Sequence, residues 1–436
     1  MRFLRTLIIL VVLTAAAAFG AGLFYLDDKP AVARLDPPTP DDVAAARAAF
    51  HKIRQATDDA DASENAIALP LETIQGALRM SARAIPGLRA ETRIDGDAVG
   101  VSASVPVPWI DGTRWLNVNA VIPSFNGELT LSRVTLGGHD LPPALALRMG
   151  QIAANLALGD QTGDRIRDSA SALLVQDKTL NVTLRLNREG RGEVVDGVFG
   201  ALRNADMPAP EDIDRYYTLI RTAMDDGTLP ASGSFLPYLR FTLNAALEGS
   251  TSETLPNAYT AAIFGLTRVC GARDFAIVVG RLAATTPAAE KRWTVDCTRL
   301  RLADRADSRL HFVTAAAIKA AGNRGLAISM GEFKEMSDSR QGGSKFDFTD
   351  IAADNSGVRF SDLFMAAPPE AWPDLIARIG TDADLIASYD GLPDPMPEDE
   401  FRATFGDVDS AAYAALMAEI EARIDQTALH ATPAGG

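Results

Sequence analysis

The feature that most constrains this chain stands at its start. Leu7 to Leu26, LIILVVLTAAAAFGAGLFYL, runs 20 residues without a charge, and Arg2 and Arg5 precede it. About 20 apolar residues cross a bilayer core as a helix, so residues 1–26 read as a transmembrane anchor or signal segment. A cleaved signal has an apolar core of about 7–15 residues that ends in small residues. AAAAFGAG supplies small residues, but LFYL prolongs the run, which favours an uncleaved anchor. No cysteine stands in this segment to carry a lipid. Arginines ahead of an apolar span stay cytoplasmic. The expectation is a single-pass protein of the cell inner membrane, with the bulk of the chain after Asp27 in the periplasm.

That compartment permits disulfides. The chain's two cysteines, Cys270 and Cys297, are 27 residues apart and are expected to pair. Neither has a close Cys or His partner in sequence, so a metal site there is not indicated. A net charge of −15 argues against nucleic acid as a partner, because such binding needs a basic footprint.

Behind the apolar run, DDKPAVARLDPPTP reads as a short stiff tether, and residues 27–64 as tether plus helix. His51 in that helix and His139 in GGHD read as solvated. Residues 65–190 form an α+β sheet module. LPLETIQGALRMSARAI has helical spacing, and Leu88 to Leu136 then alternates with period two around IDGD, IDGT and FNGE. Alternation broken by such turns means antiparallel strands with one apolar face. The apolar helix PPALALRMGQIAANLAL and a hairpin about QDKT follow. A sheet carrying a long apolar helix is loosely similar to small exported lipid-binding modules; the plainer reading is that the helix covers the core. Trp109 and Trp115 flank one turn and are expected to pack on the hairpin.

Residues 191–300 read as helical, with Tyr216, Tyr217, Tyr238 and Tyr259 as core residues. Residues 366–436 hold an acidic helical region; from Asp362 on there are 15 Asp and Glu against 3 Arg. YDGLPDPMPEDE reads as a surface loop, DSAAYAALMAEIEARIDQTAL as a helix and HATPAGG as a frayed tail. The fold class is therefore α+β: an antiparallel sheet module with covering helices, followed by a mainly α-helical domain, behind an N-terminal transmembrane helix.

The chemistry concentrates in residues 301–365. Three helices are predicted there, and each sets polar groups about one turn apart on one face. The first has Asp307 and His311, the second Glu335 and Asp338, with Glu332 on the adjacent edge and Lys334 next to Glu335 in the chain, and the third Asp350 and Asp354, with Gly357 a turn further on. Charged groups on apolar helices are costly unless they meet, so His311, Glu335 and Asp354 are expected to converge. One imidazole among carboxylates suits a divalent metal, an acid–base pair, a polar head group or a buried hydrogen-bonded clasp.

This segment resembles the YfiM-like lipoprotein family of bacterial envelope proteins and, more remotely, the VanZ-like membrane proteins. The pattern is carried by Asp307, His311 and Phe312; by Lys334, Glu335 and Asp338; by Gly342, Gly343 and Ser344; and by Asp350, Asp354 and Gly357. It covers about 55 of 436 residues. Where the pattern has a lysine after the first aspartate this chain has Ser308, so that charge is either lost or taken over by Arg309. The resemblance implies an envelope protein without an assigned reaction.

The functional expectation is a non-enzymatic envelope protein that binds or scaffolds lipid or cell-wall components, held to the membrane through its N-terminal helix. The alternative is an envelope hydrolase or transferase with His311, Glu335, Asp338 and Asp354 as catalytic candidates and Asp307, Lys334 and Asp350 as binding residues. No cofactor and no metal ligand is assigned.

Overall fold

The computed structural model describes residues 24–58, 64–85, 87–109, 112–158, 162–185, 207–271, 297–322, 324–340 and 343–431. The apolar run before Phe24, Gly342 and the side chains of His51 and Trp109 lie outside the described residues. Among the described residues no helix is long and apolar enough to cross a membrane. The chain divides into two compact units, Met1–Val194 and Val195–Gly436.

The first unit is mixed α and β, with antiparallel sheets. Its elements are β1 (Leu26–Asp27), α1 (Pro40–Asp58), β2 (Glu64–Pro70), α2 (Leu71–Ala84), β3 (Arg89–Asp95), β4 (Ala98–Trp109), β5 (Gly112–Pro123), β6 (Phe125–Asn126), β7 (Arg133–Leu136), β8 (His139–Leu141), α3 (Pro143–Leu158), α4 (Thr162–Ser169), β9 (Ala170–Gln176) and β10 (Thr179–Arg185). The meander β3-β4-β5-β7-β8 makes one sheet, with β1 on β5; a second sheet runs β2-β10-β9-β6. In the first, Val99 stands opposite both Ile94 and Ile122. Val99, Leu173 and Leu180 centre a core that Leu69, Ile74, Ile122, Phe125 and Val182 complete. It draws on both sheets and on α2.

Four sequence expectations change here. Leu26, assigned to the apolar helix, is extended and pairs with Leu116. The predicted tether is partly clamped: the Ala31 amide donates to Ser104 Oγ and Asn117 Oδ1, and Asn117 Nδ2 donates to the Lys29 carbonyl and Asp27 Oδ2. Ser104 and Asn117 are buried, buried polar groups need partners, and the passing chain provides them. Residues 64–70 form a strand that pairs along its whole length with β10. His139 is exposed, as read from the sequence, but it belongs to a strand rather than a turn and stacks on Phe24 at 3.9 Å. Trp115 is half-buried, with the Arg89 guanidinium 4.9 Å above its ring.

The second unit is mainly helical. It comprises α5 (Pro210–Asp225), β11 (Gly233–Ser234), α6 (Leu236–Leu247), α7 (Leu255–Cys270), β12 (Leu300–Arg301), α8 (Ala306–Ala321), α9 (Arg324–Asp338), α10 (Phe348–Ala366), α11 (Trp372–Ala377), α12 (Glu398–Phe405) and α13 (Ala411–Asp425). Every residue of α7 from Tyr259 to Cys270 is buried, so it serves as the central post. Tyr216, Tyr238 and Tyr259 are core, and Tyr217 lies at the edge beneath Arg268. Cys270, the last residue of α7, is bonded to Cys297 with Cα atoms 5.1 Å apart. Of the acidic stretch read as a loop, Glu398 onwards is helical. Phe401 packs with Phe346, Phe348 and Tyr413.

Candidate functional site

Asp347 caps α10 by accepting from the Thr349 amide at 2.8 Å, as an Asp at the N-cap does. This start sets Asp350 and Asp354 on the α10 face that meets His311 of α8. The two helices approach closely because Gly357 lies against the Phe312 carbonyl, where a Cβ would collide. Gly331 of α9 likewise lies against Asp354 Oδ2.

His311 is the centre. Nδ1 lies 3.1 Å from Asp354 Oδ1, a hydrogen bond. Nε2 lies 3.2 Å from Asp350 Oδ2, 3.9 Å from Asp307 Oδ1 and 4.0 Å from Glu335 Oε1. The first lacks the alignment of a hydrogen bond and the other two are too long for one, so Nε2 is buried without one. Lys334 Nζ donates to Glu335 Oε1 at 2.8 Å and Asp338 Oδ2 at 3.0 Å, and stands 3.8 Å from Asp350 Oδ2. Glu335 Oε2 accepts from the Asp347 amide at 3.0 Å.

The seven catalytic and binding candidates, Asp307, His311, Lys334, Glu335, Asp338, Asp350 and Asp354, thus belong to one connected cluster. His311, Glu335, Asp350 and Asp354 are sealed, while the Asp307 side chain is 50% exposed and that of Lys334 40%. Asp338 joins only at the edge, through Lys334.

The electrostatics follow from burial. Desolvation opposes a charge on His311, but Asp354 and Asp350 outweigh it and hold the imidazole well above its usual range. Burial pushes the Glu335 carboxyl up to about 7, with Lys334 restraining the rise. Burial and the neighbouring Asp350 also raise Asp307. Burial acts upward on Asp350 too, but His311, Lys334 and Arg305 together bring it below the usual carboxylate range. A carboxyl near neutrality beside an imidazolium is a proton-transfer pair in composition, yet its atoms lie behind Asp307 and Lys334.

Several participants escaped the sequence. Arg305, not Arg309, brings a guanidinium to the cluster: it reaches Asp347 Oδ2 at 2.9 Å and Asp350 Oδ1 at 3.2 Å. Arg309 turns away to the Cys270 carbonyl at 2.7 Å. Ser308 accepts from the Tyr389 hydroxyl at 2.8 Å. Glu332, read as an edge residue, is buried and accepts from Tyr413 Oη at 3.0 Å. The only available signal for Arg305 was its place just ahead of the first helix.

No protein-family profile, curated protein or solved structure matches the chain.

Proposed function

We propose that the chain is an exported, membrane-anchored envelope protein of binding or scaffold type, and that its sheet unit lies against the bilayer with lipid or cell-wall components as its ligand class. The observation that carries this reading is an unpartnered apolar stripe. Leu145, Met149 and Ile152 recur at helical spacing on α3 and are 49%, 45% and 51% exposed. Helices that lie in a membrane interface present such a face. The stripe starts close to where the N-terminal apolar run meets the sheet: Phe24, within that run, stacks on His139 of β8, and α3 begins at Pro143. The clamp on Ala31 leaves little slack between run and sheet. The Cys270–Cys297 bond fits an oxidising compartment, and the spacing of Asp307, His311, Glu335, Asp354 and Gly357 supports kinship with YfiM-like envelope proteins.

Depth-dependent quenching tests the membrane contact. In full-length protein reconstituted into vesicles with brominated acyl chains, Met149→Trp should add a quenched, blue-shifted component. Leu219→Trp, on an exposed position of α5, should add none. Equal behaviour of the two probes refutes the bilayer contact.

A second reading, an envelope hydrolase or transferase working from His311, Glu335, Asp338 and Asp354, is favoured by the near-neutral Glu335 beside a charged imidazole. It requires that Glu335→Gln abolish function in cells while leaving the thermal melt unchanged.

A further inference from the structure

The cluster around His311 holds two buried atoms without a hydrogen bond, His311 Nε2 and Asp354 Oδ2. Nδ1 is taken up by Asp354 Oδ1 at 3.1 Å, and donates to it when that oxygen belongs to a carboxylate. That places Nε2, more than nine-tenths buried and without a hydrogen bond, among oxygens of Asp350, Asp307 and Glu335. A neutral imidazole would there aim its lone pair at three oxygen atoms. A positive charge is required between Nε2 and the carboxylates; it is either the proton of the imidazolium, which stands 3.2 Å from Asp350 Oδ2 without hydrogen-bond alignment, or a bound cation.

We propose that Asp307, His311 and Asp350 bind a divalent first-row metal cation, with Asp354 and Arg305 as positioning residues behind the ligands. The inference goes beyond the membrane reading and does not rest on it. The donor atoms Asp307 Oδ1, His311 Nε2 and one Asp350 oxygen all lie within 4.8 Å of one another. Two ligands each about 2.1 Å from one ion stand about 3.0–3.5 Å apart. The separations of 3.2 Å to Asp350 and 3.9 Å to Asp307 are close to that span, and a small rotation of the half-exposed Asp307 completes it.

The donor set selects the class of ion. An imidazole nitrogen with two carboxylates suits zinc, iron, cobalt or manganese rather than calcium or copper(I). The surroundings are those of a metal ligand as well. A ligating histidine usually donates its second N–H to a carboxylate, and Asp354 is placed for this. Arg305 engages Asp350 Oδ1, which leaves Oδ2 toward the ion. The local charge is also favourable: Asp307, Glu335, Asp338, Asp347, Asp350 and Asp354 are gathered about Arg305, Lys334 and His311, with Arg309 acting on Asp307 from further off. Lys334 competes for Asp350 Oδ2 from 3.8 Å, but holds Glu335 and Asp338 more closely. Asp307 reaches solvent, which gives an ion a way in and leaves room for water as a further ligand.

The test uses full-length protein in detergent, stripped with chelator and then exposed separately to Zn²⁺, Mn²⁺ and Co²⁺. One equivalent of at least one of these ions should survive gel filtration, and Co²⁺ should show a ligand-field band characteristic of bound metal. Asp307→Asn should weaken binding at least tenfold while leaving the melting temperature of the metal-free protein unchanged, since this side chain is at the surface. Asp354→Asn should weaken it by about 10–100-fold, the usual effect of losing a ligand's supporting carboxylate, and shift the Co²⁺ band. Failure to retain any of the three ions overturns the proposal. So does retention with equal affinity in Asp307→Asn and His311→Gln.

Discussion

Asp354 and Asp307 both face His311, and their burial sets very different energetic roles. Asp354 is the hydrogen-bond partner of a buried ring; Asp307 is half in water at 3.9 Å. Removing one member of a buried charged pair costs about 3–5 kcal/mol, whereas an exposed pair contributes about 0–1 kcal/mol. In metal-free protein, urea unfolding should therefore show Asp354→Ala strongly destabilised and Asp307→Ala nearly unchanged. Equal losses would contradict the sealed geometry. His430 gives a pH signature away from this cluster. Burial, aided by Arg359, pushes its imidazole down to about 4. The fold thus favours the neutral ring. The associated stability is complete above the unfolded value of about 6.5 and is lost as pH falls from there through about 4. Comparing melting temperatures at pH 7 and pH 4.5, His430→Gln should lose less than the wild type. An identical fall in both would remove His430 as an acid-sensitive group.

Among the elements, the contact between α8 and α10 is the one that assembles the site. Gly357 is the position that permits it, because any Cβ there meets the Phe312 backbone carbonyl. Gly357→Ala must separate the helices, and overpacking of this kind costs about 1–3 kcal/mol. Equilibrium unfolding should show that loss; an unchanged midpoint would mean the helices do not approach so closely. Gly331 tests the α9 side of the same assembly. Its Cβ would press on Asp354 Oδ2, so Gly331→Ala should pull Asp354 from His311. The effects of Gly331→Ala and Asp354→Ala should then be less than additive in a double-mutant cycle, as for residues that share a partner. Strict additivity would show that the two do not communicate.

At the scale of the whole molecule, the Cys270–Cys297 bond ties the end of the central post α7 to the chain that leads into β12 and α8. Closing 27 residues is worth about 3–4 kcal/mol in the chain-entropy account. Reduction should lower hydrogen-exchange protection in α7 and α8 while leaving β3, β4 and β5 as they were. Loss of protection in both units alike would mean that they do not respond as separate bodies, against the division at Val194.

What the sequence determined by itself is whatever short-range pattern controls. Period-two alternation marked β3, β4 and β5 with their turns, and helical spacing marked α8, α9 and α10 with their polar faces. The cost of isolated buried charge was enough to predict that His311, Glu335 and Asp354 would meet, although no spacing rule gave the distances. The tertiary structure alone decided the rest. Glu64–Pro70 is too short and alanine-rich to announce a strand; β10 makes it one. The clamp on residues 27–31 depends on two buried polar side chains, Ser104 and Asn117, that are more than 70 residues away. Arg305 and Arg309 are about a turn apart; spacing singled out only Arg309, and the positions of Asp347 and of the Cys270 carbonyl decide that Arg305 joins the cluster. Burial of the cluster is likewise a property of three helices together: a helix dictates which side chains share its face, and its neighbours dictate whether that face meets water.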